Sequence, residues 1–80
     1  MTTLECIKQR FIDLCNERDL AFYALALSSG VHPSTMKSIM NGASKNPGIV
    51  TIKKLCDGLD ITLTEFFDTD YFRELEQEIR

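Results

Sequence analysis

LAFYALALSSGVHPSTMKSIMNG, from Leu20 to Gly42, is the stretch of sequence that decides the fold. It predicts two short helices joined at Gly30, because a sharp corner between helices needs a residue that tolerates positive φ. His32 falls where an N-cap belongs. Pro33 follows at the first helical position, where its missing N–H costs nothing and its fixed φ suits a helix. The stretch therefore predicts a helix–turn–helix unit.

The second helix of this unit has two chemically different faces. Its apolar side carries Met36, Ile39 and Met40, which suits packing against a core. The other side is small and polar at the start of the helix, with Ser34, Thr35, Lys37 and Ser38. A helix with this division suits insertion into a DNA major groove.

Helices are also predicted on both sides of this unit. Apolar residues at three- and four-residue steps predict a helix over residues 3–18, with Thr3 or Thr2 as its N-cap. The two helices of the unit are expected over about 21–29 and 33–41. A fourth is expected from about Thr51 to 58–60, with Ile49 on its apolar face, and a fifth after Thr62 or Thr64. Residues 70–80 predict an amphipathic helix with an acidic outer face.

Length and composition restrict the class of protein. Eighty residues, 44% of them hydrophobic and 26% charged, fit one small globular domain. The sequence contains neither a membrane-spanning run nor a signal pattern. Three cysteines without a Cys-x-x-Cys spacing argue against a disulfide framework and a zinc site. Cys15 and Cys56 fall at apolar helical positions, so buried reduced thiols in a cytoplasmic protein are expected. No metal ion or other cofactor is predicted.

Charge is strongly segregated along the chain, although the net charge is only −3. Residues 20–56 contain four lysines and no Asp or Glu, whereas residues 57–80 contain eight acids and two arginines. Attraction to phosphate is a local property of the docking face, so this segregation matters more than the total. The pattern favours double-stranded DNA as the partner of the central segment.

From Phe11 to Phe67 the sequence resembles the lambda-repressor-like, or Cro/C1-type, helix-turn-helix family. The resemblance lies in a Leu-Ala pair, Gly-Val, a polar N-cap, Thr, Ile, Asn-Gly, a loop with Pro, a Thr and a Leu-rich fourth helix. Here these are Leu25-Ala26, Gly30-Val31, His32, Thr35, Ile39, Asn41-Gly42, Pro47, Thr51 and Leu59-Asp60-Ile61-Thr62. The resemblance implies an all-α, compact five-helix domain over residues 1–69, with the acidic helical tail over 70–80. It also implies a DNA-binding transcriptional regulator that is usually a homodimer on a pseudo-palindromic operator.

The resemblance also assigns roles to individual residues. Base contacts are expected from Pro33, Ser34, Lys37 and Ser38. Contacts with the DNA backbone are expected from Tyr23, Thr35, Asn41, Ser44, Lys45 and Asn46. A dimer or partner surface is expected from Phe67, Tyr71, Phe72, Leu75 and Ile79, for which packing into the core of the same chain is the alternative.

The sequence departs from the family pattern in three places. Phe22 and Tyr23 stand where the second helix usually begins with Gln, so either Tyr23 offers its hydroxyl to a phosphate, or both rings pack inward or against the partner. Cys15 and Met40 replace an Arg–Glu pair, and we expect them to touch because both partners became apolar together. The recognition face also lacks long Gln and Arg side chains, so DNA shape and water are expected to contribute more to specificity.

A protein-interaction module is the alternative function. Its acidic tail would bind a basic partner, such as a toxin, or would mimic DNA. An enzyme is not predicted, because no pattern of paired carboxylates, nucleophile and base, or phosphate-binding glycines is present, and His32 has no metal-ligand companion at suitable spacing.

Overall fold

In a computed structural model, which describes residues 1–79, the chain forms six helices. No strand occurs in the part of the chain so described. The helices are α1 (Thr3–Glu17), α2 (Phe22–Ser28), α3 (Pro33–Met40), α4 (Ile49–Gly58), α5 (Leu63–Phe67) and α6 (Asp70–Arg73). The predicted all-α fold is confirmed, and no helix among residues 1–79 is long and apolar enough to cross a membrane.

Side chains that cap their own helices fix where α1 and α5 begin. Thr2, rather than Thr3, is the N-cap of α1, and Glu5 completes a capping box with it. Thr62 and Glu65 form the same arrangement on α5. Hydrogen bonds from the Thr2 backbone and hydroxyl lower the pKa of Glu5, because they favour its ionised form. These local bonds set the start of each helix independently of the rest of the fold.

The corner between α2 and α3 forms as the sequence predicts. Gly30 has a φ of 67°, and the Val31 N–H donates to the Ala26 carbonyl at 3.0 Å. His32 is the N-cap of α3, where its side chain accepts a hydrogen bond from the Ser34 N–H. The chain therefore turns sharply while a carbonyl group at the end of α2 keeps a hydrogen-bond partner.

A single apolar core joins all of the first five helices. Its fully buried large side chains include Phe11 of α1, Leu25 of α2, Ile39 of α3, Leu55 of α4 and Phe66 of α5. Cys15 and Cys56 are buried free thiols, as predicted, and Cys6 is a buried free thiol as well. Met40 packs against the core cluster that contains Cys15, whereas direct contact between these two side chains stays a prediction.

Two predicted boundaries are wrong. Helix α4 begins at Ile49, not near Thr51, and its first turn extends past the core, so that Ile49 is 56% exposed instead of lying on the apolar face. The helix predicted over 70–80 ends at Arg73. Carboxylates at Glu74 and Glu78 would repel each other at i,i+4 and would oppose the dipole at a helix C-terminus, so an irregular segment follows. Arg80 lies outside the described residues.

Candidate nucleic-acid interface

The outer face of α3 is open to solvent at its first two turns. Ser34 and Lys37 are exposed, while Pro33 and Ser38 are half-buried beside them. Spacings of three and four residues place Ser34, Lys37 and Ser38 on one side of the helix. The predicted base-contacting residues therefore share one face, opposite the buried Met36.

Local hydrogen bonds restrict what this face can offer to a base. The Ser34 hydroxyl lies 2.7 Å from His32 Nδ1, the same atom that accepts the Ser34 N–H at 3.1 Å. The hydroxyl is thus engaged in capping α3, which leaves it less free to contact a base. Lys37 is the long polar side chain on this face, and its ammonium group has no ion-pair partner in residues 1–79.

Asn41, at the end of α3, keeps its side-chain NH₂ group available as a hydrogen-bond donor. Its side-chain oxygen accepts the Ala43 N–H at 2.9 Å, which tightens the turn around Gly42, whose φ is 81°. An amide whose oxygen is occupied keeps its NH₂ group as a donor. Asn41 is exposed, so this donor can reach a phosphate oxygen.

A cleft of about 470 Å³ separates the start of α2 from α3. Its walls are mostly apolar, with Phe22 and Tyr23 on one side and Pro33 on the other. Phe22 packs against the core as well as lining the cleft, whereas Tyr23 is 63% exposed. Tyr23, Pro33, Ser34, Lys37 and Asn41 are therefore brought together around one depression.

The loop after α3 lies apart from this depression. Ser44 is half-buried, and its N–H donates to the Ser38 carbonyl at 2.9 Å. Lys45 and Asn46 line a different cleft, together with the start of α1 and Glu78. The predicted backbone contacts thus divide into two groups: those beside α3 and those beside the N-terminus of α1.

Charge around α3 is positive and largely uncompensated. Lys53 pairs with Asp57, one turn further along α4. The other lysines of the central segment have no carboxylate within ion-pair distance in residues 1–79: Lys37, Lys45 and Lys54. This arrangement supplies the local positive potential that phosphates require.

Lys8 is a cation near this surface that the sequence analysis missed. It lies on α1, and its Nζ is 3.8 Å from where a Cβ on Gly42 would be. Lys8 therefore reaches the C-terminal end of α3, where a positive charge is favourable. No linear pattern connects it to Gly42, because the contact depends on how α1 packs.

The residues predicted to form a dimer surface have different environments. Phe67 and Phe72 pack edge-to-face with ring centroids 4.9 Å apart, and both also pack against the core. The Tyr71 hydroxyl donates to Asp13 Oδ2 at 3.2 Å. Leu75 is half-buried, and Ile79 is 86% exposed. Packing within the same chain, the alternative raised from the sequence, thus accounts for the partial burial of Phe67, Tyr71 and Phe72. Their role in a dimer stays a prediction.

The perturbed titratable groups of the interior are not among the predicted DNA-contacting residues. Burial raises the pKa of the Cys56 thiol to about 11, and the charge of Asp57 acts in the same direction. Burial also raises the pKa of the Cys15 thiol and of the Tyr71 phenol, the latter with help from Asp13. Within residues 1–79, no group of three or more His, Cys, Asp or Glu side chains is arranged to hold a metal ion.

Comparison with known proteins agrees with this geometry. The family model of the Cro/C1-type HTH DNA-binding domain matches residues 10–70. The crystal structure of the prophage Lp1 protein 11 is similar to this chain, with a TM-score of 0.81 and 32% sequence identity over 94% of this chain and 100% of that one. No curated protein matches the sequence.

Proposed function

The chain belongs to the Cro/C1-type helix-turn-helix DNA-binding family, and from that premise we propose that it is a sequence-specific transcriptional regulator. In this proposal α3 enters the major groove and the protein acts as a homodimer on a pseudo-palindromic operator. The proposed function is non-enzymatic, and we propose a cytoplasmic location because the cysteines of the described residues are free thiols, as is usual in a reducing compartment.

The observation that carries the proposal is the outer face of α3. This face is exposed, lies in a segment without acidic residues, and presents Lys37 without a carboxylate partner in residues 1–79. Lys37 is long enough to reach guanine O6 and N7, while Asn41 and the loop lysine Lys45 can bind phosphates. Such a combination supports docking by charge and discrimination by a small number of base contacts.

Dimerisation is proposed because one module of this size makes few contacts. A single half-site buries a small area and gives weak, poorly discriminating binding, whereas two symmetric half-sites combine their contacts. Phe67 and Leu63 line an open depression on the outer side of α5 with Thr64 and Asp68. We place the dimer surface there, and this choice relies on Phe67 rather than on the irregular tail.

Selection of bound duplexes from a random DNA pool, at stated salt concentrations, tests the proposal. We expect a palindromic consensus and a logarithmic affinity that falls linearly with the logarithm of salt concentration. Lys37→Ala should cost about 1–3 kcal/mol and relax one position of the consensus. Lys45→Ala should instead weaken binding uniformly and reduce the salt slope by about 0.9.

Arg73→Gln is the matched control, because it also removes one positive charge. Arg73 lies on α6, where it pairs with Asp70 of the same helix and with Asp68 at the end of α5. Its loss should leave the consensus and the salt slope as they are in the wild type. Absence of any enriched duplex at low salt would overturn the proposed function.

The competing function, a module that binds a basic partner through its acidic tail, needs a separate variant. Truncation after Phe67 would also remove Phe72, whose ring lies 4.9 Å from that of Phe67, so loss of folding would confuse the result. Neutralising the exposed Glu74 and Glu76 to Gln avoids this problem. DNA binding predicts retained or stronger affinity for the operator, whereas a basic-partner module predicts that its complex is lost.

A further inference from the structure

The cleft between α2 and α3 has a chemistry that is unusual for a surface facing DNA. Its apolar lining comes from five side chains: Phe22, Tyr23, Pro33, Met36 and Met40. The polar members of the lining are Ser34, Lys37 and Asn41, so its one charge is positive. The apolar side chains form the walls and floor next to the residues that we place against the bases.

We propose that this cleft receives the 5-methyl group of a thymine in the major groove, and that Tyr23 sets the preference for it. The inference rests on the proposed function, because it requires that α3 docks in the groove. The floor of the major groove consists of hydrogen-bond donors and acceptors, and the thymine methyl is the apolar group that base pairs present there. An apolar cleft beside α3 therefore matches that one group.

Docking any other base edge in the cleft would be unfavourable. The amino and carbonyl groups of the other base edges would lose water without gaining a partner from aromatic, proline or methionine side chains. A methyl group has no such requirement, and its burial is favourable. Lys37, at the margin of the cleft, supplies attraction to the surrounding phosphates and to an adjacent guanine.

Tyr23 is the residue through which this specificity can be tested without unfolding the protein. It is 63% exposed, whereas Phe22 packs against the core and its removal would also affect stability. Leu27 gives a matched control, since it is an apolar residue of the same helix, is 57% exposed, and does not line the cleft.

The experiment uses the duplex selected from the random pool and replaces each thymine in turn by deoxyuridine, which lacks the methyl group. At one position per half-site, we expect affinity to fall about four-fold, and about fifteen-fold when both half-sites are changed. Tyr23→Ala should abolish this difference between thymine and deoxyuridine. Leu27→Ala should preserve it.

Tyr23→Phe separates the ring from its hydroxyl. If the hydroxyl also binds a phosphate, the variant binds all duplexes more weakly, but it keeps the preference for thymine over deoxyuridine because the apolar wall remains. Loss of the preference in Tyr23→Phe would overturn the methyl-binding role of the ring.

The remaining outcomes distinguish this inference from the function on which it rests. If no duplex binds, both are overturned. If the selected duplex binds but deoxyuridine is tolerated at every position, or the consensus contains no thymine, the methyl site is overturned and the DNA-binding function stands. Binding of 8-anilinonaphthalene-1-sulfonate by the wild type but not by Tyr23→Ala, with deoxyuridine tolerated, would assign the cleft to small apolar ligands instead.

Discussion

At the scale of single residues, Gly58, on the last turn of α4, lies where a side chain would clash with its neighbours. A Cβ at this position would lie 1.9 Å from Ser29 Oγ and 3.3 Å from Leu25 Cδ1. Ser29 Oγ is buried and has no hydrogen-bond partner in the described part of the chain. The glycine is therefore required by its neighbours on α2 rather than by an unusual backbone conformation.

Gly58→Ala should destabilise the protein despite the better helix propensity of alanine. Overpacking costs about 1–3 kcal/mol. The better helix propensity of alanine offsets at most about 1 kcal/mol of this cost. Urea unfolding of the single variants and of Gly58→Ala with Ser29→Ala measures the coupling. Part of the stability should return in the double variant, because the closest clash is with the Ser29 hydroxyl. Strictly additive effects would show that the contact with Ser29 does not limit this position.

The buried cysteines also predict a loss of stability at alkaline pH. The pKa of Cys56 is raised from 9.0 to about 11 in the folded state, so the unfolded chain loses this proton first. Its contribution to stability is fully present below pH 9 and is lost as the pH rises from 9 toward about 11. Cys15 acts in the same direction, because burial raises its pKa too.

Urea midpoints measured under reducing conditions from about pH 8 to about 10.5 test this sign. Cys56→Ala should be less stable at neutral pH because of the cavity, but its stability should fall less steeply with pH. An equally steep fall in the wild type and in the variant would assign the effect to other groups, among them Tyr71, whose pKa is also raised.

At the scale of secondary-structure elements, α5 depends on contacts made by another helix. It has five residues, which is too short for stability in isolation. Thr62 and Glu65 satisfy its N-terminus through the capping box. At its C-terminal end, Arg10 of α1 donates to the carbonyl oxygens of Phe66 at 2.8 Å and Glu65 at 2.9 Å. The guanidinium thus joins the first and fifth helices and caps the shorter one.

Arg10→Met should destabilise the protein by about 1–3 kcal/mol, because the aliphatic stem is kept while charged hydrogen bonds to two carbonyls are lost. Amide hydrogen exchange in α5 should accelerate more than in α2. Arg18→Met is the matched control. Arg18 makes one long hydrogen bond of 3.5 Å to the Leu14 carbonyl and a solvent-exposed ion pair of 3.7 Å with Glu17, so its loss should change stability by no more than about 0.5 kcal/mol. Equal effects of the two substitutions would contradict the proposed role of Arg10.

At the scale of the whole molecule, charge segregation along the sequence becomes a division between surfaces. The lysines without carboxylate partners among residues 1–79 lie on or near α3, the following loop and α4, whereas the acidic tail follows α5. Glu78 nevertheless returns to α1, where it accepts a hydrogen bond from the Thr3 hydroxyl at 2.6 Å. Glu78 therefore lies in the same cleft as Lys45.

Thr64→Arg tests the dimer that we place on α5. Thr64 is exposed and lines the depression that contains Phe67, so a bulky charge there should reduce self-association without disturbing the core. Sedimentation should show a monomer, and binding to a palindromic duplex should lose its cooperativity. Asn16→Arg adds the same charge at an exposed position of α1 and should remain dimeric. A Thr64→Arg variant that still dimerises would place the interface elsewhere.

Much of the fold followed from local patterns. The core position of Ile39 came from the apolar face of its helix, and the corner at Gly30 came from its turn chemistry. The incorrect start of α4 has a physical reason. The apolar spacing of Ile49 is right for the buried face, but periodicity does not show where a helix extends beyond the core.

The sequence by itself determined the all-α class, the corner at Gly30, the His32 cap and the family, because these depend on residues no more than a few positions apart. Only the tertiary structure decided which surfaces these helices create together. The α2–α3 cleft, the contact of Lys8 with the end of α3 and the return of Glu78 to Thr3 all depend on packing. Arg10 and Phe66 are 56 positions apart, and a local pattern carries no information about such a pair. Those distant contacts are fixed by burial of one shared core, which orients every helix at once.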